Sequence, residues 1–545
     1  MAQAAWPIGL MALKVRKLLL PHHGDMLWLV LLSLIALAEG FLAPTPNVSY
    51  VPYYSEAIGY VNGVNGQPLR HRGEYFEVVA PPLTLKYAQV ALHVLPANFP
   101  DTIVKRFAGK TIAITGFENQ VTRMDEATGK EMAVPCSDAY NHHWNLFMAS
   151  SKAAFDKNEY SSLSSQGGCG TGEVPPSASA RGSPGAIPVR QVFSEANGNE
   201  HRGTFHGTPK GYAQLLDSPE TLALIHMTIN TRNPEGHGLD PQSAPQPQNS
   251  NSLLPGAGGG WSGILECPCT TRRNISVKDG TIDGHRIGNA CIKGGPLDLT
   301  NNTICPFDEY VRRGGLQCCR DMSILLDKDQ PDYPSTTYFH KLRIYFEEYV
   351  PKVISNAFRL HYEIEFGPNE YNIERCPEGA PTVSCTNVLT THFLARDLLG
   401  GLTLPTNPDR LNCSYYKDVW CGQIEDVERV GGYFILLNMA FHQHAPALLE
   451  GELLNADTGE VICKGAPLKG TKVGEPFNEL GYAVGIPACV WGSAEEGLPP
   501  PPVLHLSTRL SMVGKYNNTA PHYGVMSQWQ GRGGLLKDSR TDVLV

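Results

Sequence analysis

Short runs of β-branched and aromatic residues, each ended by glycine or proline, constrain the fold of this chain more than any other feature. "YFEVVAPPLTLKYAQVALHVLP", "TTYFHKLRIYFEEYV" and "AFRLHYEIEF" are examples. Glycine and proline are abundant, with 55 and 42 residues among 545, and both disfavour long helices. The pattern predicts an all-β protein built from many short strands.

The chain is long enough for more than one domain. A polar stretch, "DKDQPDYPS", ends at residue 335, and a new set of strand-like runs follows it. We therefore predict two tandem β-sandwich domains, at 39–335 and 336–532, followed by a tail at 533–545. Loops rich in proline, glycine and serine interrupt both domains, and the first is expected to contain a disulfide-rich insertion at about 262–322.

The first 38 residues have the pattern of an export signal. Lys14, Arg16 and Lys17 precede the apolar run "MLWLVLLSLIALA" at 26–38, which is shorter than the roughly 20 residues of a membrane span. Ala36 and Ala38 give a small-x-small pattern at the end of the run. We predict a cleaved signal peptide and a secreted or endomembrane-lumen protein; the alternative is an uncleaved signal anchor.

Fourteen cysteines agree with export. An even number of cysteines in an oxidising compartment predicts up to seven disulfide bonds, whose pairing cannot be deduced from spacing. Metal thiolates at "CPC" and "CC" are the alternative, but zinc sites usually repeat a CxxC pair that this sequence lacks. Five sequons also predict N-glycans, at Asn47, Asn274, Asn301, Asn412 and Asn517.

The charge balance excludes one class of partner. The net charge is −9, and no lysine- or arginine-rich block occurs. Proteins that bind nucleic acids normally carry a basic surface. No nucleic-acid partner is therefore expected.

Two histidine pairs are candidate metal ligands. In "FHQHAP", His442 and His444 would face the same side of a strand, because side chains two residues apart do so. In "YNHHWNLF", His142 and His143 are adjacent and would reach one ion only if the backbone bulges there. Taken alone, each pair is more often structural: two polar residues that end a strand in the first case, and two exposed or separately bonded histidines in the second.

A third histidine and a methionine extend the candidate set. His226 lies within the strand-like "TLALIHMTINTR", where a core histidine bonded to the backbone is the alternative. Met526, in "HYGVMSQW", would fall on a late strand, where methionine commonly fills a core. Imidazole and thioether ligands without a thiolate suit copper that cycles between Cu(I) and Cu(II).

The order of these motifs resembles the two-domain, copper type II, ascorbate-dependent monooxygenases that hydroxylate peptidylglycine or dopamine. The resemblance implies two jelly-roll-like sandwiches with one copper ion each. The second copper would bind dioxygen and abstract a C–H hydrogen, and the first would store and deliver an electron. The implied ligands are His142, His143 and His226 for the first copper, and His442, His444 and Met526 for the second.

A more extensive resemblance is to the stress up-regulated Nod19 family, which was named in plants for its expression. It rests on "ATGKEMAVPCSDAYNHHW", "LIHMTINTR", "ECPC", "GGLQCC", "AFHQHAPALLEGELLNADTGEVIC", "NELGYAVGIPAC" and "APHYGVM", from about residue 48 to about residue 530. This family has no settled activity. The resemblance therefore implies an architecture and leaves the reaction open.

One departure from the monooxygenases bears on the substrate. Peptidylglycine monooxygenases have a carboxylate-binding arginine two residues before the HxH, whereas this chain has Ala440. We expect a copper-dependent monooxygenase with a small-molecule or peptide substrate other than peptidylglycine. The alternative is a non-catalytic extracellular glycoprotein that binds copper or has a structural, stress-related role.

Overall fold

The computed structural model confirms an all-β sandwich protein, with 59% of the described residues in strands and 8% in helices. The described residues are 57–61, 64–86, 89–135, 138–154, 185–195, 205–230, 232, 277–278, 281–282, 285–286, 323–324, 335–363, 371–373, 376–377, 379–381, 385–400, 421–443, 448–472, 478, 483–519, 522–525 and 527–536.

Eleven strands are described before residue 231. They are β1 (Ala57–Val61), β2 (Val64–Leu69), β3 (Glu74–Val79), β4 (Leu83–Lys86), β5 (Gln89–Asn98), β6 (Thr111–Met124), β7 (Glu131–Ala133), β8 (Ala139–Ser150), β9 (Arg190–Glu195), β10 (Tyr212–Asp217) and β11 (Pro219–Asn230). A short helix, α1 (Asp101–Arg106), follows β5.

The next described strands are four two-residue pieces and four longer strands. They are β12 (Val277–Lys278), β13 (Thr281–Ile282), β14 (His285–Arg286), β15 (Ser323–Ile324), β16 (Ser335–Glu348), β17 (Ser355–Glu363), β18 (Tyr371–Ile373) and β19 (Thr386–Leu394). Two helices come after β19, α2 (Ala395–Gly400) and α3 (Cys421–Arg429).

The remaining described strands complete the fold. They are β20 (Tyr433–Gln443), β21 (Leu448–Asn455), β22 (Val461–Gly465), β23 (Leu468–Lys469), β24 (Ala483–Gly485), β25 (Ala488–Val490), β26 (Val503–His505), β27 (Arg509–Asn517), β28 (His522–Val525) and β29 (Ser527–Leu535). A single 3-10 turn, Ala494–Glu496, precedes β26.

One long sheet runs through the protein, in the order β2-β1-β25-β20-β29-β17-β10-β6-β16-β3. A five-stranded sheet, β15-β5-β11-β8-β9, packs on its β6 and β16 end, and a four-stranded sheet, β19-β27-β21-β22, packs on its β17, β29 and β20 end. We call these two packed pairs the amino sandwich and the carboxyl sandwich. Along β16, buried and less buried residues largely alternate, as expected of a strand with one face on a core.

Each sandwich has its own apolar core. Large aromatic and aliphatic side chains fill both, so each burial makes a favourable hydrophobic contribution. The amino core contains Phe117, Trp144, Leu146, Leu224 and Ile344. The carboxyl core contains Tyr362, Phe434, Phe441, Tyr516 and Trp529.

The two sandwiches do not divide the chain at residue 335, where the domain boundary was predicted. β16, which starts at the predicted boundary, pairs with β3, β4 and β6 of the amino sandwich. β1, near the start of the chain, pairs in parallel with β25 of the carboxyl sandwich. The polar stretch before residue 335 therefore leads into a strand of the amino sandwich. The chain passes to the carboxyl sandwich later, between Glu348 at the end of β16 and Ser355 at the start of β17.

Two of the predicted disulfide bonds are present among the described residues. Cys376 is bonded to Cys385, and Cys463 to Cys489. The second bond joins β22 to β25, so it links the two sheets of the carboxyl sandwich across the core. The side chains of the other ten cysteines lie outside the described part.

Several predicted features fall outside the described residues: the signal at 1–38, nearly all of the insertion at 262–322, and four of the five sequons. The fifth, Asn517, is 8% exposed, and its side-chain oxygen accepts hydrogen bonds from the backbone and hydroxyl of Thr519. No helix within the described ranges is long and apolar enough to cross a membrane.

We predict that Gly531→Ala destabilises the protein by about 1–3 kcal/mol or more. Gly531 lies at the centre of β29, and an added Cβ would clash with the backbone carbonyl oxygen of Asn438 and lie 2.6 Å from Sδ of Met439. Gly485→Ala is the control, because its Cβ would meet only a leucine methyl at 3.2 Å. Urea unfolding measures both; equal midpoints for the two variants would contradict the prediction.

Candidate functional site

A β-bulge lies at the adjacent histidines. β8 pairs with β11 so that His143 faces Met227 and Asn141 faces Thr228, which leaves His142 as the extra residue. Bulges bend a strand and redirect its side chains, often next to functional sites. From the sequence, His142 and His143 could reach one ion only if the backbone bulged here, and the structure contains that bulge. The side chain of His143 lies outside the described part.

His142 contacts His442 across the two sandwiches. Their ring centroids are 5.8 Å apart and the rings meet edge-on, at 80°. Both side chains are buried, at 1% and 0% exposure. Tyr140 lies beside His142, with ring centroids 5.3 Å apart. Residues assigned from the sequence to two different copper sites are therefore neighbours.

The spacing of this histidine pair is compatible with a shared metal ion. A histidine nitrogen lies about 2.0–2.1 Å from a bound zinc ion, and the centre of the imidazole ring lies about 1 Å beyond that nitrogen. The centres of two rings that bind one ion are therefore about 5–6 Å apart. The observed 5.8 Å falls within that interval. The pair is thus close enough to act as two ligands of one ion.

Polar side chains on β29 and β17 lie near His442. Gln528 is paired with His442 across the strands, and its side-chain oxygen accepts hydrogen bonds from Gln530 at 2.6 Å and from His361 at 3.2 Å. Burial and the nearby Arg359 lower the pKa of His361 to about 3. His361 is therefore neutral at neutral pH and donates through Nε2.

The contact between the sandwiches continues as a layer of polar groups, here called the polar seam: the buried Gln191, Gln214, Asn438 and Arg532, and the partly buried Asn356. Nε of Arg532 donates to Gln214 at 2.7 Å, and Gln214 donates to Gln191 at 3.2 Å. The Arg532 guanidinium also lies over the rings of Phe117 and Phe193, at 5.6 and 5.8 Å. These bonds connect β29 of the carboxyl sandwich to β9 and β10 of the amino sandwich.

His226 lies in a different polar cluster. Its Nδ1 is 3.0 Å from the hydroxyl of Thr228, which is in turn 3.0 Å from Nε2 of His340. Nδ1 of His340 is 3.3 Å from the side-chain oxygen of Asn119. The two imidazole centroids are 4.6 Å apart. His226 is thus fully buried but faces hydrogen-bonding groups as well as the apolar core.

The structure brings together His142 with His442 and His226 with His340. His444 and Met526 lie outside the described residues, as does the side chain of His143. Within the part of the chain that is described, no three His, Cys, Asp or Glu side chains are grouped so as to hold a metal ion. The two predicted three-ligand sets therefore remain predictions.

Sequence reasoning missed His340, Thr228 and Asn119. A signal existed for two of them: Thr228 follows His226 at the same-face spacing, and His340 interrupts the alternating run "TTYFHKLRIYF" at a buried position. Nothing in the sequence indicated that β16 would lie beside β6 and opposite β11.

Ala440 occupies the position of the missing arginine. Its side chain is 3% exposed and packs with Phe205, Ala488 and Val490. Position 440 itself is therefore apolar and provides no cation for a substrate carboxylate.

No protein-family model matches this chain. No curated protein matches it at a significant level. The resemblances to the Nod19 family and to the copper monooxygenases therefore depend on the quoted motifs alone.

We predict that the free energy of unfolding falls as the pH drops below about 6.5. Burial lowers the pKa of His340 from 6.5 to about 4, so the unfolded chain binds a proton more readily than the folded protein in this interval. The stabilisation is complete above pH 6.5 and is lost progressively toward pH 4, by on the order of 3 kcal/mol for this residue.

The measurement is urea unfolding of the wild type and His340→Gln between pH 4 and pH 7. The variant should lose stability less steeply with falling pH, because it lacks the buried titrating group. Parallel pH profiles for the two proteins would show that His340 does not titrate as proposed.

Proposed function

We propose that this protein binds copper where its two sandwiches meet and acts as a copper-dependent monooxygenase that uses dioxygen and a reductant. The contact between His142 and His442 carries the proposal. It joins two histidines from distant parts of the chain, at a bulge that redirects one of them, with a spacing compatible with one metal ion.

The donor chemistry fits copper. Imidazole nitrogens bind copper as well as zinc, and a thioether added to them favours copper that changes oxidation state. The motif resemblance assigns His142, His143 and His226 to one copper and His442, His444 and Met526 to another, whereas the copper proposed from the geometry would be held jointly by His142 and His442. Bound copper would supply one-electron chemistry toward dioxygen.

The protein's own groups keep the two histidines in place. Both rings are almost completely excluded from water, so packing restricts their positions. Tyr140 packs beside His142, and Gln528 lies across the strand pair from His442. Such support holds ligands in one geometry before the metal binds.

The substrate would be a small molecule or a peptide. The apolar environment of Ala440 supports a substrate that does not present a carboxylate at this position. The two disulfide bonds support a secreted or endomembrane-lumen location, because structural disulfides persist in oxidising compartments. N-glycans are proposed from the sequons alone.

Burial favours a second candidate function. His142, His226 and His442 are exposed by 1% or less, and a substrate needs access to the metal that transforms it. A non-catalytic, extracellular copper-binding or structural glycoprotein needs no such access. Oxygen consumption separates the two functions.

We predict that the purified wild-type protein binds at least one copper ion per chain and that His442→Gln loses the ion shared with His142. Glutamine keeps a polar side chain of similar size but lacks the imidazole. His392→Gln is the matched control: His392 lies on β19, in the outer sheet of the carboxyl sandwich, and bonds to Ser511. Elemental analysis after dialysis measures copper, with thermal unfolding to verify that each variant is folded.

The copper-loaded protein should also consume dioxygen in the presence of ascorbate, and Met526→Ile should reduce that rate. Copper binding without oxygen consumption would favour the non-catalytic candidate. Less than one copper per chain in the folded wild type, or unchanged copper in His442→Gln, would contradict the proposed site.

A further inference from the structure

The strands at the edges of the sheets differ in how well they are protected. An edge strand has unpaired backbone N–H and C=O groups that can pair with a strand of another chain, and proteins usually prevent this with charged residues, proline or bulges. Five described strands of at least five residues end a sheet: β2, β3, β9, β19 and β22. Four of them contain a charged residue or a proline, and β19 contains neither.

β19 is also long and regular. Its sequence, TNVLTTHFL, has no Lys, Arg, Asp, Glu, Gly or Pro. All nine residues pair with β27 in one continuous register, from Thr386 with Asn517 to Leu394 with Arg509, so no bulge turns the edge away. β27 is its only partner among the described strands. About half of the backbone N–H and C=O groups of β19 therefore point away from β27.

The outer face of β19 is open to solvent. Val388 is 53% exposed and Leu394 is 38% exposed. Exposed and partly buried residues alternate along the strand, with only Phe393 buried. A second strand could therefore approach this edge without displacing packed side chains.

Both ends of β19 are held in place. Cys385, directly before the strand, is bonded to Cys376, and its carbonyl oxygen accepts a hydrogen bond from the backbone N–H of Asn518. At the other end, the carboxylate of Asp397 accepts a hydrogen bond from the backbone N–H of Leu394 at 2.8 Å. The edge is thus ordered before any partner binds, which lowers the entropy cost of pairing.

The charges around β19 favour a second copy of the same chain over a charged partner. The cations opposite β19 on β27 are Lys515 and Arg509. Lys515 is bonded to Glu450 at 2.6 Å and Arg509 to Asp457 at 3.0 Å, so both are neutralised within their own sheet and its β21–β22 turn. β19 offers no charge that would select a charged partner, and opposite its own copy it meets no like-charge repulsion.

We propose that two copies of this protein form a dimer by antiparallel pairing of their β19 strands. The pairing joins the two outer sheets of the carboxyl sandwiches into one sheet, with four strands from each copy. When all nine residues pair, Thr390 lies opposite itself and Val388 lies opposite His392 of the partner subunit. The dimer requires neither copper nor substrate, so it is independent of the proposed function.

The symmetry of this pairing closes the assembly at two copies. Each copy uses the same strand, so a two-fold axis leaves no second β19 edge free. β22, at the opposite edge of the sheet, contains Lys464 and pairs with β21 through an irregular register, and so it is protected against continuing the sheet. Pairing of one strand buries a small area, and the dimer is therefore expected to form reversibly at micromolar concentrations.

The test compares Val388→Lys with Val461→Lys by analytical ultracentrifugation over a range of micromolar concentrations. Val388 and Val461 are exposed by 53% and 48% and lie on the two edge strands of the same sheet. The wild type and Val461→Lys should dimerise as concentration rises. Val388→Lys should raise the dissociation constant about tenfold or more, because a symmetric dimer contains the substitution twice. A monomeric wild type, or equal effects of the two substitutions in folded proteins, would overturn the proposal.

A second measurement needs no variant. Hydrogen exchange of the wild type should show slower exchange of β19 backbone amides as concentration rises, because dimerisation removes their edge from water. The amides of β22 should exchange at the same rate at every concentration. A dimer that forms without added protection of β19 would use another surface and would overturn the proposal.

Discussion

The polar seam between two separate apolar cores is the contact on which the rest of this structure depends. Polar groups removed from water destabilise a protein unless they are hydrogen-bonded. Arg532 is 3% exposed, and it donates to Gln214 while its guanidinium covers Phe117 and Phe193. Because these hydrogen bonds are directional, they allow few relative positions of the two sandwiches. They therefore restrict the distance between the rings of His142 and His442.

The buried histidines depend on strand register as well as on the seam. His142 occupies a bulge, and His226 begins a chain of bonds that ends at Asn119. Both arrangements need exact strand register, because shifting a strand by one residue would turn the side chains to the opposite face. The long pairing of β11 with β5 and β8 supplies that register.

Much of the fold could be predicted from the sequence, because strand patterns and turn residues are local. The all-β class, the disulfides and the need for a bulge at His142 all followed from neighbouring residues. The pairing of β1 with the carboxyl sandwich and of β16 with the amino sandwich could not be predicted, since it joins distant segments of the chain. For the same reason, the proximity of His142 to His442 and of His226 to His340 became visible only in the fold.

The central claim is that a copper ion lies at the contact between His142 and His442. Diffraction from copper-loaded crystals at the copper absorption edge tests it most directly. We expect a single anomalous peak that lies about 2 Å from a ring nitrogen of both histidines. Copper bound elsewhere, with no anomalous peak beside these two rings, would contradict it.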